Sequence, residues 1–150
     1  MSADDRRLAA DLFNHVWTLL ETPQRTPQQD VEMIHAAHAS RHHWAAAGTA
    51  VNRARGEWQI SRVYSVLDRG EPALFHAQLC LDECSAAGIG DFDLAFAHEA
   101  KARALAVLGR HEEAAAEAAA AQELSAAVSE EDDRAILEGD LADLAGRIER

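Results

Sequence analysis

Apolar residues recur every three to four positions along seven stretches of this chain, and no stretch alternates convincingly every second residue. In the first, from about Ala3 to Glu21, Leu8, Leu12, Phe13, Val16, Leu19 and Leu20 share one helical face. Thr22-Pro23 ends it, because the residue before a proline avoids the helical region. Thr26-Pro27 opens the second as N-cap and first-turn proline, and it runs to about Ala47, where Gly48 suits the position past a helix C-terminus. The third spans Thr49 to Arg69 with Gly56 inside it. An interior glycine costs about 1 kcal/mol relative to alanine and is tolerable where another backbone packs close. The fourth covers Glu71 to Ala87, with Pro72 in its first turn and Gly88 beyond its end. Ile89-Gly90-Asp91 forms a short turn, with Asp91 the expected N-cap of the fifth helix, Phe92 to Leu108, which Gly109 ends. The sixth covers Glu112 to Val128. Ser129, followed by Glu130, Glu131 and Asp132, is the expected cap of the seventh, which reaches about Ile148.

The pattern repeats at longer range. Sliding the chain by 41 residues aligns EWQISRVYSVLDRGEPALFHAQLCLDEC (57–84) with HEAKARALAVLGRHEEAAAEAAAAQELS (98–125). The two units share Arg62/Arg103, Val66/Val107, Leu67/Leu108, Arg69/Arg110, Glu71/Glu112, Ala73/Ala114 and Ala77/Ala118. The two alanine matches are cheap in so alanine-rich a chain, but a common VL-x-R-x-E-x-A turn is not. Each unit is a helical hairpin with a tight turn, the mark of an α-solenoid.

On these residues the chain resembles the tetratricopeptide repeat family. Tyr64, Ala73 and Cys80 stand where that pattern takes an aromatic and two small residues. Ala102, Gly109, Ala114 and Ala121 take the small positions of the second unit. The family's repeat is shorter than 41 residues, so the resemblance implies lengthened helices. It covers about 50–128. The first two helices match only in hairpin topology, because LFNHVWTLLE and VEMIHAAHASRHHW lack the small-residue register, and 129–150 is expected as a capping helix. The expected fold is therefore all-α: antiparallel helical hairpins in one tetratricopeptide-like α-solenoid domain of about seven helices. A plain antiparallel bundle is the alternative.

Composition narrows the class. The chain has 150 residues, enough for one self-sufficient core, and only 5% of them are aromatic. Alanine supplies 33 positions, which favours helices that approach closely. The formal charge of −12 argues against a nucleic-acid binder held by phosphate contacts. No apolar run is long enough for a membrane, and the start, MSADDRRLAADLF, lacks a signal peptide's apolar stretch, so a cytoplasmic domain is expected. The charge is uneven: residues 111–150 carry twelve acids against three arginines, whereas 51–70 hold Arg53, Arg55, Arg62 and Arg69 against Glu57 and Asp68. A basic stretch in an acidic protein suits an anionic ligand, or else pairs with the acidic C-terminal helices.

The resemblance implies that the first helix of each hairpin lines a concave face. On the third helix Arg55, Trp58 and Arg62 form one stripe, and the 41-residue shift maps them onto Phe96, Glu99 and Arg103 on the fifth. Guanidiniums beside aromatic rings suit a carboxylate or phosphate. This is similar to the carboxylate-holding groove of some tetratricopeptide domains, which rely mainly on the lysine and asparagine missing here. The expected function is a non-enzymatic binding module for a peptide, a partner protein or a small anionic ligand, with self-association also open.

Histidine offers the second reading. In the second helix His35, His38 and His42 lie on one stripe with His43 beside it. His38 and His42, four apart, with Glu57 from the third helix, are the candidate ligands or acid and base of a helical metal protein or enzyme. His98 and Glu99 are further candidates for the third position. The competing reading makes these half-buried interfacial histidines. His76, Cys80 and Cys84 line one face of the fourth helix as a soft-ligand array, although Cys80 occupies a small inward slot where a thiol acts as a compact hydrophobe. The chain has no HExxH, paired Glu-x-x-His, phosphate-cradling glycine loop or dinucleotide fingerprint, so no cofactor is expected.

Overall fold

The computed structural model describes residues 2–149, and among them every regular element is helical: α1 (Ser2–Leu20), α2 (Pro27–Ala47), α3 (Ala50–Val66), α4 (Gly70–Ala87), α5 (Asp91–Val107), α6 (His111–Ser125) and α7 (Glu131–Ile148). Connections of a few residues leave successive helices no choice but to run antiparallel. The hairpins α1–α2, α3–α4 and α5–α6 stack in order, and α7 packs on α5 and α6. The odd-numbered helices touch one another along the stack, whereas α2, α4 and α6 touch only odd-numbered neighbours. One layer is therefore pinched and the other splayed, which curves the stack with α1, α3, α5 and α7 on the inside.

Local chemistry explains the boundaries. Thr26 and Thr49 are both N-caps with complete capping boxes, closed by Gln29 and Asn52. Arg25 donates to the end carbonyls of α1 at Leu19 and Leu20 and to Thr22 just beyond it, and its Nε reaches Asp30 at 2.9 Å, tying the first hairpin. The repeated VL-x-R turn is one structure built twice. α3 and α5 start 41 residues apart, as do α4 and α6. In each turn the x position is left-handed, Asp68 at φ 62° and Gly109 at φ 75°. The arginine N–H then donates 2.9 Å back to Tyr64 or Leu105.

Alanine makes the close approach possible. Ala73, Ala77, Ala102, Ala114 and Ala121 are fully buried at helix crossings, while Ala116 faces solvent. Gly56 sits where a Cβ would meet Arg41 Cδ at 2.9 Å, and Gly70 where it would meet Leu108 Cγ at 2.6 Å. The larger side chains gather as Val16, Leu19, Met33, Ile60 and Val63 among α1–α3, and Phe96, Val128, Leu137, Leu141 and Leu144 among α5–α7.

Three local expectations change. Gly48 is extended (φ −97°, ψ 177°), because Thr49 begins the next cap at once and the chain must straighten between two helices. Asp91 and Ser129 do not cap their own helices. Asp91 Oδ2 accepts the Ser129 hydroxyl at 2.7 Å and Oδ1 the Ser129 N–H at 3.1 Å, so they clamp the start of α5 to the α6–α7 turn. The N-cap positions pass to Gly90 and Glu130, which make no side-chain cap bond.

Candidate functional site

The inner layer holds a cleft of about 490 Å³. α1 forms one wall with Phe13 and Trp17, α7 the other with Asp133, Ile136 and Asp140, and between them lie Arg55 and Trp58 of α3 and Phe92, Asp93 and Phe96 of α5. Ala54 and Cys80 complete the lining. The rings form a chain: Trp17 to Trp58 at 5.6 Å, Trp58 to Phe96 at 5.8 Å and perpendicular, Phe96 to Phe92 at 4.7 Å. Such edge-to-face and tilted contacts hold a rigid apolar surface. The Trp58 indole N–H is buried and has no acceptor. Ile136 is 57% exposed on the wall.

The six expected ligand-binding residues divide. Arg55, Trp58 and Phe96 line the cleft. Arg62, Glu99 and Arg103 lie in an ion-pair network under α7. Glu99, wholly buried, accepts from Arg103 Nε at 2.9 Å and from Arg62 Nη2 at 3.4 Å. Arg62 also reaches Asp140 at 3.1 Å while its guanidinium lies over the Trp58 ring at 5.2 Å. Arg103, 5% exposed, donates to Asp143 at 2.8 Å and to the Asp140 carbonyl at 3.0 Å. Burial works against the Arg103 charge, but Glu99, Asp143 and Asp140 more than offset it and hold the guanidinium above its ordinary pKa. Hydrogen bonds from Arg103 and Arg147 pull Asp143 below the usual carboxylate range. Arg55 is spent as well, forked onto both oxygens of Asp93 at 2.8 and 3.1 Å. All three arginines expected to meet an anion are thus committed to carboxylates, two of them to the acidic seventh helix.

The structure places the candidate metal ligands apart. Among the described residues no group of three or more His, Cys, Asp or Glu side chains is placed to hold a metal ion. His38, His42 and Glu57 do not converge. His42 is exposed against His43, ring centroids 5.5 Å apart, because α2 turns it away from the α3 interface. Glu57 is already satisfied, by Arg41 Nε at 2.9 Å and His76 Nδ1 at 2.8 Å. His38 Nε2 lies 2.9 Å from the Tyr64 hydroxyl and its ring stands edge-on to His76 at 5.3 Å. Burial first, then the neighbouring His76, pushes the His38 pKa down. His98 pairs with Glu117 at 2.7 Å. Cys80 and Cys84 are free and buried, packed with Ala54, Leu81 and Ala97. The hydrogen bond to Cys84, then burial, pushes the Cys80 thiol far above its ordinary range, and the same hydrogen bond draws Cys84 down.

Two walls of the cleft escape a reading of the third and fifth helices alone. Phe13 and Trp17 lie on α1, outside the 41-residue register. Asp133 and Ile136 lie on α7, expected only as a cap. The signal for α7 is in the chain: the same offset applied to α5 gives 132–148, within one residue of α7 at its start. Among the described residues no helix is long and apolar enough to cross a membrane. Compared with known proteins, the chain matches no family model, no curated protein and no solved structure.

Proposed function

We propose that the chain is a non-enzymatic, tetratricopeptide-like binding module whose inner cleft takes a peptide segment of a partner protein. The observation that carries this reading is the cleft: about 490 Å³ of ring-lined space on the concave layer. An apolar peptide side chain covers the rings. Sites of 300–1,000 Å³ that are mostly apolar with a few polar groups are the usual form of a ligand pocket. A small anion fits less well, because Arg55, Arg62 and Arg103 already have carboxylate partners. The two unpaired, buried thiols suit a reducing, cytoplasmic setting.

The test is selection from a random peptide display library on the full chain, counter-selected on a Trp17→Ala/Ile136→Ser variant. Both residues lie on the cleft walls and neither belongs to the fully buried core. Peptides retained by the native protein and released by the variant support the reading. A pool that the two proteins retain equally overturns it.

A further inference from the structure

The charges around the cleft name the kind of peptide, an inference that rests on the binding reading above. Its lining carries three carboxylates, Asp93, Asp133 and Asp140, against one guanidinium, Arg55. Asp93 is occupied by Arg55 and Asp140 by Arg62. Asp133, half-buried on the α7 wall, makes no hydrogen bond or ion pair with another side chain among the described residues. It stands in the first turn of α7. The cleft thus presents one carboxylate with no ion pair of its own: Arg55, forked onto Asp93, feels the Asp133 charge only at a distance.

The protein also shows what this lining does with a cation. Arg62 lies over the face of Trp58 at 5.2 Å with its charge held by Asp140 at 3.1 Å. Ring and carboxylate together hold a guanidinium of the chain itself, and Asp133 repeats the carboxylate half of that arrangement at the same cleft. We infer that the cleft selects its peptide through a lysine or arginine side chain, whose apolar stem lies on the aromatic rings and whose charge meets Asp133. Basic side chains suit this division, since they bury the stem and keep the head beside a counter-ion. A neutral apolar peptide would strip water from Asp133 and return nothing. An acidic peptide would meet Asp133 and find no uncommitted cation, since Arg55 is held by Asp93 and Arg62 by Asp140. A second copy of this chain is a poor occupant, because two molecules of formal charge −12 repel each other.

The experiment titrates the ¹⁵N-labelled full chain with three acetylated and amidated peptides, Leu-Xaa-Leu-Phe, in which Xaa is arginine, citrulline or glutamate. Citrulline keeps the shape of arginine and removes its charge. The readout is the shift of the Trp17 and Trp58 indole N–H signals; Trp44, outside the cleft lining, is the internal control. The arginine peptide is expected to bind about tenfold tighter than the citrulline peptide, a ratio that narrows as salt is raised. Asp133→Asn is expected to weaken the arginine peptide to the level of the citrulline peptide and leave the latter unchanged, while Asp133→Glu retains most of the preference. Equal binding of arginine and citrulline peptides, tighter binding of glutamate, or an undiminished preference in a folded Asp133→Asn variant overturns the charge inference and leaves the binding reading standing. If no peptide moves the Trp17 and Trp58 signals at about 1 mM, both fall.

Discussion

Replacing Arg103 with leucine tests whether the seventh helix is held by the buried ion pairs. The side chain is 5% exposed and donates to Glu99 at 2.9 Å, Asp143 at 2.8 Å and the Asp140 carbonyl at 3.0 Å. The Asp143 arm is worth little, since Asp143 is half exposed and keeps Arg147 at 2.9 Å. The Glu99 arm dominates. Glu99 is 0% exposed, and after the change its only remaining cation is Arg62 at 3.4 Å. Removing one partner from a buried pair costs about 3–5 kcal/mol, mostly because the other charge is left uncompensated. Leucine fills much of the space of the arginine stem, so packing adds little to that figure. Glu99→Leu alone is milder, about 1–3 kcal/mol, because both arginines keep acidic partners on α7. The double change Glu99→Leu/Arg103→Leu removes both charges and is expected to cost less than the sum of the singles by about 2 kcal/mol. Urea unfolding of the full chain, followed by far-ultraviolet circular dichroism, measures all three. A loss below about 1 kcal/mol for Arg103→Leu, or additive single changes, would refute the uncompensated-charge argument.

Ala73→Leu and Ala114→Leu, both at buried crossings, should each destabilise by about 1–3 kcal/mol, whereas the solvent-facing Ala116→Leu should stay within about 0.5 kcal/mol; thermal melts that rank the three alike would break the repeat register. Gly70→Ala places a Cβ 2.6 Å from Leu108 Cγ and should lower the melting temperature, while Gly139→Ala meets nothing within 4 Å in α7 and should raise stability by about 0.5–1 kcal/mol. The depressed pKa of His38 favours its neutral ring in the folded state, so its contribution is fully present above the ordinary value of 6.5 and is lost as pH falls through the lower folded value. Unfolding measured across that acid limb should flatten in His38→Asn relative to the native protein, and an unchanged pH slope would remove His38 as its source.

Periodicity, proline and glycine placement, and the capping threonines were enough to determine an all-α chain and the location of its helices, because those are interactions within one or two turns. The VL-x-R turn was legible for the same reason: its left-handed residue and back-bonded arginine N–H are set by five neighbouring residues. The inward alanines of both repeats were legible too, since a fixed offset carries one crossing onto the next. Partners across helices were a different matter. Arg62 and Arg103 look the same in sequence whether they face solvent or carboxylates, and only the seating of α7 on α5 put Asp140 and Asp143 against them. His38 and His42 share a helical stripe, yet the angle at which α3 crosses α2 turned one toward Tyr64 and left the other exposed. Asp91 and Ser129 each had the chemistry of a cap, and the chain's long-range path paired them with each other instead. The cleft was decided last, by curvature. Pinching the odd-numbered helices brought Trp17 of α1 and Ile136 of α7, more than a hundred residues apart, to opposite walls of one space. No spacing along the chain encodes that distance, because it is the sum of every helix crossing between them.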